Sequence, residues 1–284
     1  MTIVGEPVPA APPPELRFRR RVNLRSDIAK LWRARLLMRV LAERELRARY
    51  KQSVLGWFWS LVGPVSLMIV FSVFVHRVTT VKTGDVPYAL YSYIGLLPWT
   101  FFSGTLASGG TSLIANQSLL NKIQCPREVF PLSNILTNGV STVIAMSVLL
   151  GLFVADWFAP KPDSVVAIVP LAVLLVYTAG TLLFVSAVMV PFRDVRHALP
   201  LAIQFALFAT PIAYGMASIP RAWRGLYSAV DPLGPVIDGL RNTVLYNRMP
   251  EWNELGIAAL SSLVTLYVGF VVFKRLEVGF ADVA

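Results

Sequence analysis

Charged residues are scarce in this sequence. They account for 15% of its 284 residues, whereas a soluble domain of this length would carry about 25%. Hydrophobic residues account for 55%. This balance argues against a soluble globular protein and predicts an integral membrane protein with an all-α fold.

Cysteine and histidine are nearly absent. The single cysteine, Cys125, cannot form a disulfide within the chain, and we interpret it as a buried or interfacial small residue. The two histidines, His76 and His197, are distant from Cys125 and from each other in the sequence. Ligands this few and this scattered argue against a metal site.

Two kinds of transport motif are missing. There is no G-x-x-x-x-G-K-[ST] phosphate loop, so the chain does not bind and hydrolyse ATP by that route. None of the long apolar segments carries Asp, Glu, Lys or Arg near its middle, where ion-coupled transporters usually hold a relay or an ion ligand. If this chain takes part in active transport, another subunit must supply the energy.

Positive charge, in contrast, is concentrated near the N-terminus. The formal net charge is +10, and 13 of the 26 lysines and arginines lie within residues 1–56. Because this block precedes the first long apolar run, it indicates a segment that faces a membrane or a partner and argues against a nucleic-acid groove. Residues 1–15 do not resemble a signal peptide. We expect residues 1–25 to form a disordered, Pro-rich and basic cytoplasmic tail.

Six segments are long and apolar enough to span a membrane, which takes about 20 residues. They are 54–75, 88–109, 129–154, 165–190, 197–217 and 255–273. Pro98 and Pro211 fall within two of them and predict kinks. With the N-terminus in the cytoplasm, 19 of the 26 cations lie inside and 7 outside. Since cytoplasmic loops carry the excess of positive charge, we expect both termini on the cytoplasmic side of the inner, or plasma, membrane.

Two regions outside the spans are predicted to be helical. Residues 26–52 are rich in arginine and contain Trp32, which is typical of a helix at the cytoplasmic interface, with a solvated basic helix as the alternative. Between the last two spans, Pro220 would open one short helix through Val230, and a second would follow the DPLGP turn at 231–235. We expect these two helices to dip back into the outer leaflet; a plain surface loop is the alternative.

Four segments, in this order, resemble the permease subunit of ABC-type exporters for polysaccharides, the family that moves lipid-linked O-antigens, teichoic acids, capsules and related glycans. They are RARYKQSVLGWFWSLVGP (47–64), ANQSLLNKIQCPREVFPLS (115–133), FRDVRHALP (192–200) and FKRLEVGFADV (273–283). The resemblance covers about residues 27–282. The proline-rich tail departs from the short N-terminus that is usual in that family.

The resemblance implies a homodimer of permeases with two cytoplasmic ATPase subunits. These partners would bind ATP and Mg, so that this chain itself holds no cofactor. It also implies a glycan channel at the dimer interface. The permease domain would then span residues 53–284, after the interfacial helix at 26–52. The coupling helix falls at about 112–125, and the outer gate helices fall at about 219–247.

Residue roles follow from the resemblance and from charge. The cations that would meet a polyprenyl diphosphate headgroup are Arg44, Arg47, Arg49 and Lys51, with attraction to anionic membrane lipid as the alternative. The aromatics that would line the channel, or else belong to an interfacial belt, are Trp57, Phe58 and Trp59. The residues that would meet the ATPase, unless they are plain surface charge, are Asn121, Lys122, Arg127, Glu128, Arg193, Asp194 and Arg196. The gate residues would be Asp231, Pro232, Ile237 and Leu240. No catalytic residue and no metal ligand is predicted.

Two other functions stay open at this point. A membrane enzyme acting on polyprenyl-linked sugars would need paired acids at the membrane surface, and the outer acids here show no D-x-D spacing. An ABC permease for a small lipid or drug is the second alternative, and the RYKQSVLGWFW block favours a glycan instead. The sequence does not identify the glycan, for which a galactan-like wall precursor is one candidate.

Overall fold

The computed structural model describes residues 24–51, 53–75, 83–120, 122, 125–156 and 162–277. These ranges contain helices and connecting turns and no β-strand, which confirms the predicted all-α fold. The predicted disordered tail lies outside the described residues except for Leu24 and Arg25, and these two residues are helical.

Twelve α-helices follow one another within the described ranges. They are α1 (Leu24–Arg33), α2 (Arg35–Tyr50), α3 (Trp59–Val70), α4 (Tyr88–Gly110), α5 (Ser112–Ala115), α6 (Gln117–Leu120), α7 (Val129–Ala155), α8 (Ile168–Met189), α9 (Val195–Ala209), α10 (Arg221–Val230), α11 (Leu233–Val244) and α12 (Trp252–Leu276). A 3-10 turn, Gly56–Phe58, leads into α3, and a π-helical turn, Phe71–Val75, extends it.

Four helices of the described chain are long and apolar enough to cross a membrane. They are Gly56–Phe74, Val129–Ala155, Ser164–Met189 and Trp252–Leu276. They correspond to the first, third, fourth and sixth predicted spans. The second predicted span is the 23-residue helix α4. It carries many Tyr, Ser, Thr and Gly residues, which its position at the centre of the bundle explains, because neighbouring helices cover it.

Helix α4 is the core of the bundle. Leu90, Tyr93 and Leu96 are fully buried, and the helix packs against α3, α7, α8 and α11. Its polar groups are satisfied inside the protein, since the Tyr93 hydroxyl donates to the Ala145 carbonyl at 2.7 Å. A helix shielded in this way does not need a uniformly apolar surface.

The fifth predicted span, 197–217, is wrong in its extent. Helix α9 has 15 residues and ends at Ala209. The next residue, Thr210, is extended (φ −68°, ψ 138°), because the ring of Pro211 disfavours the helical conformation in the residue before it. The predicted kink at Pro211 is therefore a helix end, and residues 210–215 continue as non-helical chain.

Helices α8 and α12 approach each other closely at two glycines. A Cβ atom placed on Gly180 would lie 2.5 Å from the backbone nitrogen of Leu266, and one placed on Gly269 would meet the carbonyl oxygen of Gly180. Small residues permit this kind of backbone contact between membrane helices. The contact fixes α12 against the middle of the bundle.

Replacing Gly180 with alanine is therefore expected to destabilise the chain, although alanine is favoured over glycine by about 1 kcal/mol within a helix. The added methyl group forces α8 and α12 apart. Gly151→Ala on α7 is the matched control, because nothing lies within 4 Å of an added Cβ there. Thermal unfolding of the detergent-purified variants should show a lower midpoint for Gly180→Ala and an equal or higher one for Gly151→Ala. Equal midpoints for both would contradict the close contact.

The helix predicted over residues 26–52 is two helices rather than one. The chain turns at Ala34 between α1 and α2 (φ −83°, ψ 5°), which corrects the single helix predicted over 26–52. Leu41 and Ala42 are buried against the bundle, whereas Trp32, Leu36 and Val40 form an exposed apolar stripe at four-residue spacing. The two helices thus pack on the bundle with one side and present apolar groups on another.

The two short helices before α12 form as predicted. Helix α10 begins after Pro220 and ends at Val230. Helix α11 begins at Leu233, so the predicted turn at 231–235 is confined to Asp231 and Pro232. The Asp231 carboxylate accepts a hydrogen bond from the amide of Leu233, the first residue of α11, at 3.2 Å.

Candidate functional site

The cations at the end of α2 face different partners. Arg44 donates to the side-chain oxygen of Asn116, and Arg49 donates to that of Asn138 at 3.2 Å. Arg47 lies 3.6 Å from Glu43 on the exposed side of the helix. Lys51 follows the helix and is exposed. All four predicted headgroup cations keep exposed surface, and two of them are oriented by asparagines of the bundle.

A row of polar side chains on α7 lies beside the end of α2 and binds Arg49. Asn138, which accepts from Arg49, donates in turn to Ser108 on α4 at 3.1 Å. Ser141, one turn further, lies 3.2 Å from the Tyr50 hydroxyl. Asn138 thus bonds across helices, to Arg49 of α2 and to Ser108 of α4. A small cavity of about 150 Å³ lies beside this row, between α2, α4 and α7.

The aromatic segment before α3 is largely exposed. Trp57, Phe58 and Trp59 have exposed fractions of 48%, 67% and 55%. The Trp57 ring stacks on Tyr50 at the end of α2, with 4.7 Å between ring centroids. This stacking fixes the path of the chain from α2 into the first span. That the three rings line a channel stays a prediction.

The predicted coupling helix, 112–125, is not continuous. The described part forms two short helices, α5 and α6, separated at Asn116, and Asn121 lies outside the described residues. Asn116 bends the chain there with φ −109° and ψ 22°, and its side chain donates back to the Ser112 carbonyl at 2.9 Å. This local bond competes with helix continuation.

The predicted coupling helix and the charged turn after α8 meet at one cavity. It has a volume of about 380 Å³ and lies between α5, α6 and the turn after α8. Arg193 and Arg196 line it from the turn, and Leu113 and Leu120 line it from the short helices. Asp194 is exposed in the same turn, and Lys122 is exposed after α6.

Glu128 does not lie on the surface, and its prediction as an ATPase contact is wrong in this respect. Its side chain is fully buried and forms an ion pair with the buried ammonium group of Lys274 on α12. Lys274 also lies 3.2 Å from Glu277, and Arg127 donates to the Glu277 carbonyl at 2.6 Å. These contacts fasten the start of α7 to the end of α12. Sequence reasoning missed them because the partners are far apart in the chain.

The predicted gate residues occupy the inner side of α10 and α11. Pro232, Ile237 and Leu240 are buried, and Asp231 is partly buried. Burial raises the pKa of the Asp231 carboxyl, while hydrogen bonds from Thr210, Tyr227 and Leu233 act in the opposite direction. The gate helices are thus packed onto the bundle rather than extended from it.

Arg241 on α11 is the main residue that sequence reasoning missed, because it was counted only as an outer cation. Its side chain is 1% exposed. Its guanidinium group donates to the carbonyls of Tyr91 (3.2 Å), Pro211 (3.0 Å), Tyr214 (3.1 Å) and Ile212, and it lies 3.7 Å from the Tyr91 ring centroid.

These bonds explain how the non-helical segment after α9 is tolerated. Carbonyl groups at 211, 212 and 214 have no helix to satisfy them, and a buried unpaired carbonyl is costly. A planar guanidinium has five N–H donors and can serve several carbonyls at once. Burial lowers the pKa of Arg241, and the nearby Tyr91 and Asp238 act in the opposite direction. Arg241 therefore joins α11 to the non-helical segment after α9.

Comparison with known proteins identifies the family of this chain. A family model described as ABC-2 type transporter matches residues 37–245. The chain belongs to the ABC-2 type transporter family. The matched region runs from α2 to the end of α11 and so includes the exposed aromatic segment, the short helices α5 and α6, the turn after α8, and Arg241.

Curated relatives of this ABC-2 type transporter chain match it almost end to end. The O-antigen export system permease protein RfbA of Myxococcus xanthus is 29% identical over 259 residues, which cover 90% of this chain and 98% of the relative. RfbA of Klebsiella pneumoniae is 26% identical over 248 residues (87% and 94%). The polysialic acid transport protein KpsM of Escherichia coli is 25% identical over 243 residues (82% and 91%).

Proposed function

We propose that this ABC-2 type transporter chain is the membrane subunit of an ATP-driven exporter for a polyprenyl-diphosphate-linked polysaccharide. An O-antigen, a teichoic acid or a galactan-like glycan fits this class. The observation that carries the proposal is the near full-length similarity to permeases named for O-antigen export and polysialic acid transport. The family match over residues 37–245 supports the transport role itself.

The proposed arrangement has six spans, with both termini on the cytoplasmic side of the inner membrane. Four spans are the long apolar helices, α4 is the second, and α9 with the segment that Arg241 holds is the fifth. Helices α10 and α11 would then be re-entrant gate helices on the outer side. The excess of lysine and arginine in the N-terminal block supports this orientation.

A homodimer is proposed because the first span is barely covered by its own chain. Only 11% of its most apolar window is buried. Lipid can cover such a surface, but Trp57, Phe58 and Trp59 lie exposed at its start, where flat rings would stack on passing sugars. A second copy against this span would place two such aromatic segments at one interface, as a channel requires.

Two ATPase subunits would bind ATP and Mg and act on the cytoplasmic face. The cavity between α5, α6 and the turn at 191–197 is the proposed contact, with Arg193 and Arg196 exposed at its edge. The buried pair of Glu128 and Lys274 would carry the resulting movement into α7 and α12. Arg127, beside this pair, would act through Glu277.

Depletion of the chain in its native host tests the proposed function. Lipid-linked glycan should accumulate on the cytoplasmic side and disappear from the surface, and the purified chain should carry an ATPase with it. The expected control is restored export from a plasmid copy. Normal surface glycan after depletion, or a chain that purifies without any ATPase, would show that the proposal is wrong.

The headgroup role of the α2 cations can be tested separately. Replacing Arg47 and Arg49 together with alanine is expected to abolish most of the stimulation of ATPase activity by lipid-linked glycan. Each guanidinium can make a bidentate contact to phosphate worth about 1.5–3 kcal/mol as a charged hydrogen bond. The control removes the same charge earlier on the helix, at Arg35 and Arg39, which are exposed. If lipid-linked glycan stimulates ATPase activity equally in both double variants, Arg47 and Arg49 have no headgroup role and only attract anionic lipid.

A further inference from the structure

A polar cavity of about 700 Å³ lies at the outer end of the bundle. Its walls are the chain at 83–86 before α4, residues 215–217 at the start of a short 3-10 helix, helix α11 and the turn that leads into α12. The volume falls within the range of about 300–1,000 Å³ that is usual for small-molecule sites. No role in the proposed export mechanism accounts for this cavity.

The lining excludes an alkyl chain. Polar side chains such as Asp238, Asn242 and Glu251 contribute to it, and burying them against hydrocarbon without hydrogen bonds would be costly. The bundle has a different cavity for such a ligand. That cavity, of about 490 Å³, is lined almost wholly by apolar residues of α4, α7 and α8, including Leu97, Phe101 and Leu149.

The charges also argue against a phosphate ligand. Among the described residues that line the cavity, the four carboxylates of Asp85, Asp238, Glu251 and Glu254 face three guanidinium groups. Arg224 lies 3.7 Å from Glu254. The donors of Arg241 are directed at backbone carbonyls. The cavity therefore has no excess of positive charge for an anion.

The polar side chains that line the cavity can form hydrogen bonds with the hydroxyl groups of a ligand. Asn242 donates to the Asp238 carboxylate at 3.1 Å, one helical turn away. A carboxylate has about four acceptor sites, and a primary amide has two donors and one acceptor oxygen, so the pair retains capacity of both kinds. Vicinal sugar hydroxyls, which both donate and accept, match such a pair. Tyr246, fixed by a 3.1 Å bond to the Thr83 carbonyl, adds an aromatic ring to the wall.

We propose that this outer cavity binds one or two residues of a neutral, hydroxyl-rich saccharide, with Asp238 and Asn242 as the main hydrogen-bonding groups. The inference rests on the proposed export function, in which the saccharide is part of the glycan as it leaves the membrane. Arg241 fixes the base of the cavity and does not itself contact the sugar.

Saturation-transfer NMR on the full chain purified with its ATPase tests this. The probes are free neutral disaccharides of galactose, mannose, rhamnose and N-acetylglucosamine at millimolar concentration. At least one is expected to receive saturation from the wild type. Asp238→Asn should weaken binding of that disaccharide about tenfold, because it removes a hydrogen bond to a charged group. Asn242→Trp should weaken it by a similar factor, because the indole fills the space for the sugar ring.

The matched control places the same indole on the exposed side of α10, as Arg221→Trp, and should bind like the wild type. Absence of saturation for every disaccharide, or equal saturation in all variants, would overturn the inference. Stronger binding of glucose 1-phosphate than of neutral sugars would overturn the ligand class. The proposed export function fails on different evidence, namely normal surface glycan after depletion, so the two failures are distinguishable.

Discussion

An Arg241→Met variant is expected to lose much of the stability of the chain. Methionine keeps the apolar stem but removes all the donors, so that the carbonyls of Pro211, Ile212 and Tyr214, which no helix satisfies, lose their hydrogen-bond partner. One such buried group costs about 1–3 kcal/mol. Loss of several together should therefore destabilise the chain by on the order of 3 kcal/mol or more.

Two further variants make the Arg241 prediction specific. Arg241→Lys keeps the charge but places three donors on one nitrogen, which cannot reach carbonyls in several directions, so an intermediate loss is expected. Arg221→Met removes an exposed arginine from α10 and should be nearly neutral. The measurement is the thermal midpoint of the detergent-purified chain. If Arg241→Met and Arg221→Met unfold at the same temperature, the carbonyl contacts do not hold the broken span.

The second large effect is expected at the end of α12, for Lys274→Met. This change leaves the carboxylate of Glu128 fully buried without its ammonium partner. Breaking a buried pair by removing one partner costs about 3–5 kcal/mol. The start of α7 and the end of α12 should then separate, and the chain should unfold at a lower temperature. Arg275→Met, at the exposed neighbouring position, is the control.

The double variant Glu128→Met with Lys274→Met distinguishes a buried charge from lost packing. Replacing a whole buried pair with apolar groups of similar volume is often neutral or stabilising. The double variant should therefore recover much of the stability that Lys274→Met loses. If it is as unstable as Lys274→Met, the ion pair is not the source of the effect. If it is stable but uncouples ATP hydrolysis from export, the pair also transmits force.

Local sequence signals were reliable where one short stretch decides the structure. Pro220 opens α10 at Arg221 because its fixed φ suits a helix start. Four of the six spans predicted from apolar runs are helices long and apolar enough to cross a membrane, since hydrophobic length alone sets that property. The continuous coupling helix failed for an equally local reason, because Asn116 bonds to the backbone behind it and bends the chain.

The burial of residues that depend on distant partners could not be predicted from the sequence. Arg241 looked like one outer cation among several, and Glu128 looked like surface charge beside a cytoplasmic loop. Their burial depends on Tyr91 and on Lys274, which are 150 and 146 positions away in the numbering. A single sequence does not show which distant residues become neighbours in the fold. A charged residue also looks the same in the sequence whether it is paired or solvated.

By itself, then, the sequence determined that this protein is helical, lies in a membrane and has a basic segment before its first span, because composition and hydrophobic length act locally. It also determined the order of motifs on which the family resemblance rests. Only the tertiary structure decided that α9 stops at Ala209 with Arg241 holding the chain beyond it, and that Glu128 is buried against Lys274. Those outcomes follow from the rule that a buried polar group must find a partner, and the partners are brought together only by the packing of the helices.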